Sequence, residues 1–75
     1  MNIIDITIHI NEDLSTENRS SLVNSIRQID GVISPGFNAG KEHLLVMAYN
    51  PEKTSQSVLL AQTRSAGYTA QLVGA

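Results

Sequence analysis

The residue pattern predicts an α+β domain of order βαββαβ, with two helices covering one face of a four-stranded antiparallel sheet. Three observations carry this. Isoleucine stands at positions 4, 6, 8 and 10 with Asp5, Thr7 and His9 between them, the period-two alternation of a half-buried strand. Two stretches of helical spacing each end on glycine and re-enter a strand on a bulky residue, in Ile29-Asp30-Gly31-Val32 and Ser65-Ala66-Gly67-Tyr68. Residues 32–38 read as a strand yet contain Pro35, which cannot donate a ladder hydrogen bond and therefore belongs at a sheet edge. A split βαβ unit repeated twice with right-handed crossovers gives the strand order 4-1-3-2, and that order places the proline-bearing strand at an edge.

Each element has its own signal. After the first strand, Ser15 can cap the free N–H groups of a helix, with Glu17 near its positive end. Leu22, Val23, Ile26 and Ile29 fall at helical spacing and form the stripe that faces the sheet. Asp30-Gly31 closes this helix, because glycine tolerates the left-handed conformation at a helix end. Residues 32–38 form the second strand. Asn38-Ala39-Gly40-Lys41 has turn chemistry, and residues 43–49 are apolar on both faces, as a central strand requires. Asn50-Pro51 breaks that strand, either Thr54 or Ser55 caps a second helix running to about Ala66, and Tyr68 to Val73 makes a short last strand.

Composition bounds the function. The 75 residues are room for one domain, 1–75, at the size where a single core is marginal, and there is no cysteine to form a disulfide. With 41% hydrophobic and 16% charged residues the chain has enough apolar material for a core. Net charge is −2, and Arg19, Arg27, Lys41, Lys53 and Arg64 are scattered along the sequence, which leaves no footprint for nucleic acid. Phe37, Tyr49 and Tyr68 are the only aromatics, too few for a base-stacking platform. No leader and no apolar run of membrane-spanning length is present, so a cytoplasmic protein without membrane insertion is expected.

In the first strand, in Asp30-Gly31-Val32, in Ala48-Tyr49-Asn50-Pro51-Glu52 and in Ala66-Gly67-Tyr68-Thr69-Ala70-Gln71-Leu72, the chain resembles the heavy-metal-associated domain family of copper chaperones over essentially its whole length. It also resembles a group of short bacterial proteins that share this fold without the metal-binding pair. The resemblance implies a ferredoxin-like sandwich. Family members bind one soft cation through two cysteines, spaced by two residues, at the start of the first helix. Counted back from Gly31, those positions are Ser15 and Asn18, with Leu14 matching the buried apolar residue before the site. The loop ahead of the helix is one residue longer than is usual in the family. Thiolates select Cu(I) and hold Zn(II), whereas a hydroxyl and a carboxamide are hard, neutral, weak ligands, so a high-affinity copper or zinc shuttle is excluded on ligand grounds.

Two other sites can be placed. His9 and His43 should lie at the same end of the sheet beside Asn11, Glu12 and Asp13, because the first and third strands are antiparallel neighbours. Two imidazoles with Glu12 or Asp13 would bind a divalent metal weakly, the only cofactor foreseen. Parity argues against convergence: His9 alternates with inward isoleucines, whereas His43 shares parity with Leu45, Met47 and Tyr49, assigned to the core. His43 is expected to pack at the core rim with one hydrogen bond, and Glu12, Asp13 and Glu17 to be solvated loop and cap residues. The uncovered sheet face then shows Leu44, Val46 and Ala48 beside Asp5, Thr7 and His9, more apolar surface than a solvated face needs, and suits a protein partner or a homodimer. No cysteine nucleophile, phosphate loop or Ser-His-Asp set is evident, so an enzyme is not expected. The readings are an interaction or adaptor module beside metal transport or homeostasis, a weak non-thiol metal binder, or an ACT-like small-molecule regulatory domain that requires a dimer.

Overall fold

The computed structural model describes residues 2–74. Its elements run β1 (Ile4–Ile10), α1 (Thr16–Arg27), β2 (Val32–Asn38), β3 (Lys41–Tyr49), α2 (Gln56–Ser65) and β4 (Ala70–Leu72). One sheet has the order β2-β3-β1-β4, which is the predicted 4-1-3-2 order read from the other edge. β1 pairs antiparallel with β3 and β4, and β2 with β3. The sandwich is the predicted one, with β2 and β4 as its edges.

The helices bury one side of the sheet. Ile8 and Ile10 from β1, Leu45, Met47 and Tyr49 from β3, Leu22 and Ile26 from α1, Leu59 from α2, and Ala70 from β4 form the core with Leu14. Ile4, Ile6 and Ile8 sit opposite Tyr49, Met47 and Leu45, so one parity of each central strand points at the helices. Asp5, Thr7 and His9 face Ala48, Val46 and Leu44 on the other side.

Three boundaries differ from the sequence reading. α1 ends at Arg27, and Gln28 to Gly31 form a tighter turn in which Ile29 N donates to Ile26 O at 3.0 Å. β3 starts at Lys41, two residues before the apolar run, because Asn38 pairs with Lys41 across the turn. β4 is shorter than Tyr68 to Val73: Asn11 N still donates to Thr69 O at 2.9 Å in the β1–β4 register, but Thr69 N donates to the Glu12 side chain at 2.8 Å instead of returning a ladder bond to β1.

Gly31 joins the two halves. Its carbonyl accepts from Asn50 N at 2.8 Å, its φ is +98°, and a Cβ there would lie 2.7 Å from Lys53 Cβ. Gly67 has a similar φ of +100° but nothing within 4 Å of a built Cβ. Left-handed backbone alone costs an L-residue about 1–2 kcal/mol. Gly31→Ala is therefore expected to lower the urea midpoint more than Gly67→Ala, with the slope of the transition unchanged in both.

β2 carries a β-bulge. Its register with β3 passes from Ile33↔Ala48 to Gly36↔Val46, so Ser34 and Pro35 together oppose Met47. Ser34 takes up the irregularity with a φ of +50°, and Pro35 is buried where its missing N–H leaves no ladder bond unmade. A second irregularity follows: from Phe37↔Leu45 to Asn38↔Lys41, one step along β2 spans four along β3.

Candidate functional site

The end of the sheet where β1 runs into α1 gathers most of the residues singled out by the sequence. Ser15 is the N-cap of α1, and its Oγ accepts from Asn18 N at 3.1 Å. The two positions that the resemblance assigns to thiolates therefore form a helix cap. Leu14 is buried behind them, and its carbonyl accepts from Arg19 Nη1 at 2.6 Å. A hydroxyl engaged in capping and an exposed carboxamide do not make a soft-metal pair, so these positions do not fit the ion that cysteines would hold.

The acidic residues of the loop have separate tasks. Glu12 Oε1 accepts from Thr69 N at 2.8 Å, which ties the loop before α1 to the loop after α2. That backbone N–H, favouring the charged form, holds the Glu12 carboxyl below its ordinary value. A carboxyl with a depressed folded value contributes stability above its unfolded titration range and loses it as pH falls through the folded value. Stability of the protein should then fall more steeply below the carboxylate range than that of Glu12→Gln, as read from urea midpoints against pH. Asp13 Oδ1 instead meets His43 Nε2 at 2.9 Å, with side-chain exposures of 97% and 41%. An ion pair that exposed contributes little to folding.

The imidazoles of His9 and His43 stack, with ring centroids 5.8 Å apart and planes 15° from parallel. This corrects the expectation that parity keeps them apart. His43 lies in the stretch between Lys41 and Leu45 where the β2–β3 register breaks, so strict alternation does not govern its direction there. Its Nδ1 lies 2.7 Å from Ile10 O, and its Nε2 faces the Asp13 carboxylate. Both partners are acceptors only, so His43 satisfies both contacts only with a proton on each ring nitrogen. In that form it has no lone pair for a metal. His9 Nδ1 lies 3.3 Å from Gln71 Nε2. Of the four residues considered as metal ligands, the structure brings His9, His43 and Asp13 together and directs Glu12 to Thr69. Among the described residues no set of three or more His, Cys, Asp or Glu side chains is arranged to hold an ion.

On the uncovered face of the sheet, Leu44, Val46 and Ala48 are half-buried rather than covered. Ile33, opposite Ala48 on β2, extends this apolar row and is 40% exposed. The sequence reading overlooked Ile33, although the alternation of β2 up to its bulge marks it as outward. Asp5, Ile33, Ser34, Val46 and Ala48 border a shallow hollow beside the bulge of β2. Phe37 and Tyr49 pair with core-side positions, so neither aromatic lies on this face. No helix of the described residues is long and apolar enough to cross a membrane.

No protein-family model and no curated protein matches the chain. Solved structures do. Oxidised MerP from Ralstonia metallidurans superposes with a TM-score of 0.84 at 18% identity, covering 97% of this chain and 100% of that one. The Cu(I)-loaded N-terminal domain of a potential copper-translocating P-type ATPase from Bacillus subtilis gives 0.82 at 21%, covering 93% and 86%. The CsoZ metallochaperone gives 0.81 at 18%, covering 93% and 99%. At these identities the likeness is one of fold.

Proposed function

We propose that this chain, which has the fold of the heavy-metal-associated domains and no cysteine, is a non-enzymatic protein-contact module that works through its uncovered sheet face beside a metal-transport or homeostasis system. One observation supports this above others: the positions that would hold a soft ion form a helix cap, while the apolar row of Ile33, Ala48, Val46 and Leu44 stays open to contact. Apolar side chains adjacent on a rigid sheet lose water on docking without ordering cost in the backbone, which suits a partner surface. The metal association comes from the neighbours, among them a domain of a potential copper-translocating P-type ATPase and a metallochaperone.

The test is site-specific photo-crosslinking in cells producing the full chain. A photoreactive residue at Val46 is expected to give discrete protein adducts, and the same probe at Val58, an exposed position on α2, is not. Equal adducts at both positions, or none at 46, would overturn the reading. A dilution series followed by amide NMR identifies a second copy of the chain as the partner if the signals of Ile33, Leu44, Val46 and Ala48 move together.

The stacked imidazoles favour a second reading, weak binding of Zn(II), Ni(II) or Cu(II) by His9 and His43. The metal would have to displace the Asp13 contact from His43 Nε2, and Asp13 is exposed enough to swing away. Saturable shifts of the imidazole signals on titration with these ions, lost in His43→Gln, would support it. Unmoved imidazole signals would remove it.

A further inference from the structure

Arg19 and Arg27, two of five basic residues in a chain of net charge −2, line one hollow of about 370 Å³ against Val23 and Phe37, between α1 and β2. No acidic residue lines it. Neither arginine belongs to an ion pair among the described residues, where the pairs are His43 with Asp13 and Lys53 with Asp30. Their bonds are to neutral acceptors: Arg19 Nη1 to Leu14 O at 2.6 Å, Arg19 Nη2 to Thr16 Oγ1 at 3.2 Å, and Arg27 Nη1 to Asn24 Oδ1 at 3.2 Å. A guanidinium has five N–H donors, so each keeps donors for a ligand.

Spacing selects the ligand. All three acceptors precede their arginine in the chain, so both side chains lean toward the start of α1 and neither closes on the other. Arg19, Val23 and Arg27 are successive positions four apart, and a rise of about 1.5 Å per residue separates the arginines by about 12 Å with Val23 midway. One phosphate or carboxylate is too small to bridge them. An extended chain advances about 3.3 Å per residue, so residues four apart span about 13 Å on one side, with the residue between them facing the same way. We propose that this hollow binds an extended acidic segment of a partner protein with the pattern acid-x-apolar-x-acid, the acids on Arg19 and Arg27 and the apolar side chain on Val23 and Phe37. The surface lies in the helix layer, separate from the sheet face, and goes beyond the function proposed above.

The probe is a synthetic peptide containing Glu-Ser-Leu-Ser-Glu with uncharged flanks, titrated into the full chain and followed by amide NMR. Saturable shifts confined to residues 16–27 and Phe37 are expected. Arg27→Gln should weaken binding by up to about fivefold, the upper end for one exposed charge pair. Arg27 is exposed and bonds only Asn24 on its own helix, so this variant should keep the native spectrum elsewhere. Moving the acids to three residues apart should weaken binding similarly, and Lys-Ser-Leu-Ser-Lys should give no shifts. Absence of saturable shifts, or equal affinity for Arg27→Gln or for the shorter spacing, overturns the proposal. So does saturation of the same signals by inorganic phosphate or a single-stranded oligonucleotide at comparable strength, which would identify a simple anion site or a nucleic-acid surface. Val46→Glu should bind the peptide unchanged, so failure here is separable from failure of the sheet-face contact.

Discussion

Ser15→Cys combined with Asn18→Cys is expected to give a chain that holds a stoichiometric Cu(I) ion. The two positions are the N-cap and the third residue of α1, directly after buried Leu14. Thiols there would sit at the positive end of a helix, which favours the thiolate that a soft ion needs. Losing the Ser15 cap should lower stability by about 1 kcal/mol, a deficit that metal binding to the folded state offsets. Competition with a Cu(I) chelator under reducing conditions measures the change, with each single substitution as a control. If the double variant cannot compete, the loop no longer presents these positions as a pair. Tight stoichiometric Cu(I) in the unsubstituted chain would refute the exclusion of a soft-metal role on ligand chemistry.

Ile26→Ala should have the largest effect on folding. Ile26 is fully buried on the inward stripe of α1, beside Leu22 and against the sheet. Truncating a buried isoleucine removes its transfer free energy and leaves a cavity, together about 2–5 kcal/mol. At roughly 0.05–0.15 kcal/mol per residue, a chain of this length is stable by only about 4–11 kcal/mol, so one substitution removes a large share. Val58→Ala, on the exposed side of α2 at 48% exposure, should change stability by less than about 0.5 kcal/mol. Urea unfolding of the two variants in parallel measures the contrast. Similar losses in both would show that the core described here is not what holds the fold.

These effects divide the chain into what its order of residues determined and what depended on packing. Element type, strand order, the inward stripe of α1, the cap at Ser15 and the edge position of Pro35 follow from local rules: alternation, helical spacing, capping chemistry and the missing N–H of proline. The absence of thiolates was equally plain. The boundaries at Arg27 and Lys41 moved through short-range contacts, Ile29 N on Ile26 O and Asn38 paired with Lys41, and the one at Ala70 through a distant contact, Thr69 N on the Glu12 side chain. Only tertiary structure stacked His43 on His9, since a register break in a neighbouring strand overrides the parity that alternation predicts. It also set Phe37 of β2 against the face of α1 on which helical spacing places Arg19, Val23 and Arg27. A side chain's direction at a bulge and its neighbours across a helix–strand groove are set by contacts between residues far apart in the chain, and no local periodicity encodes them.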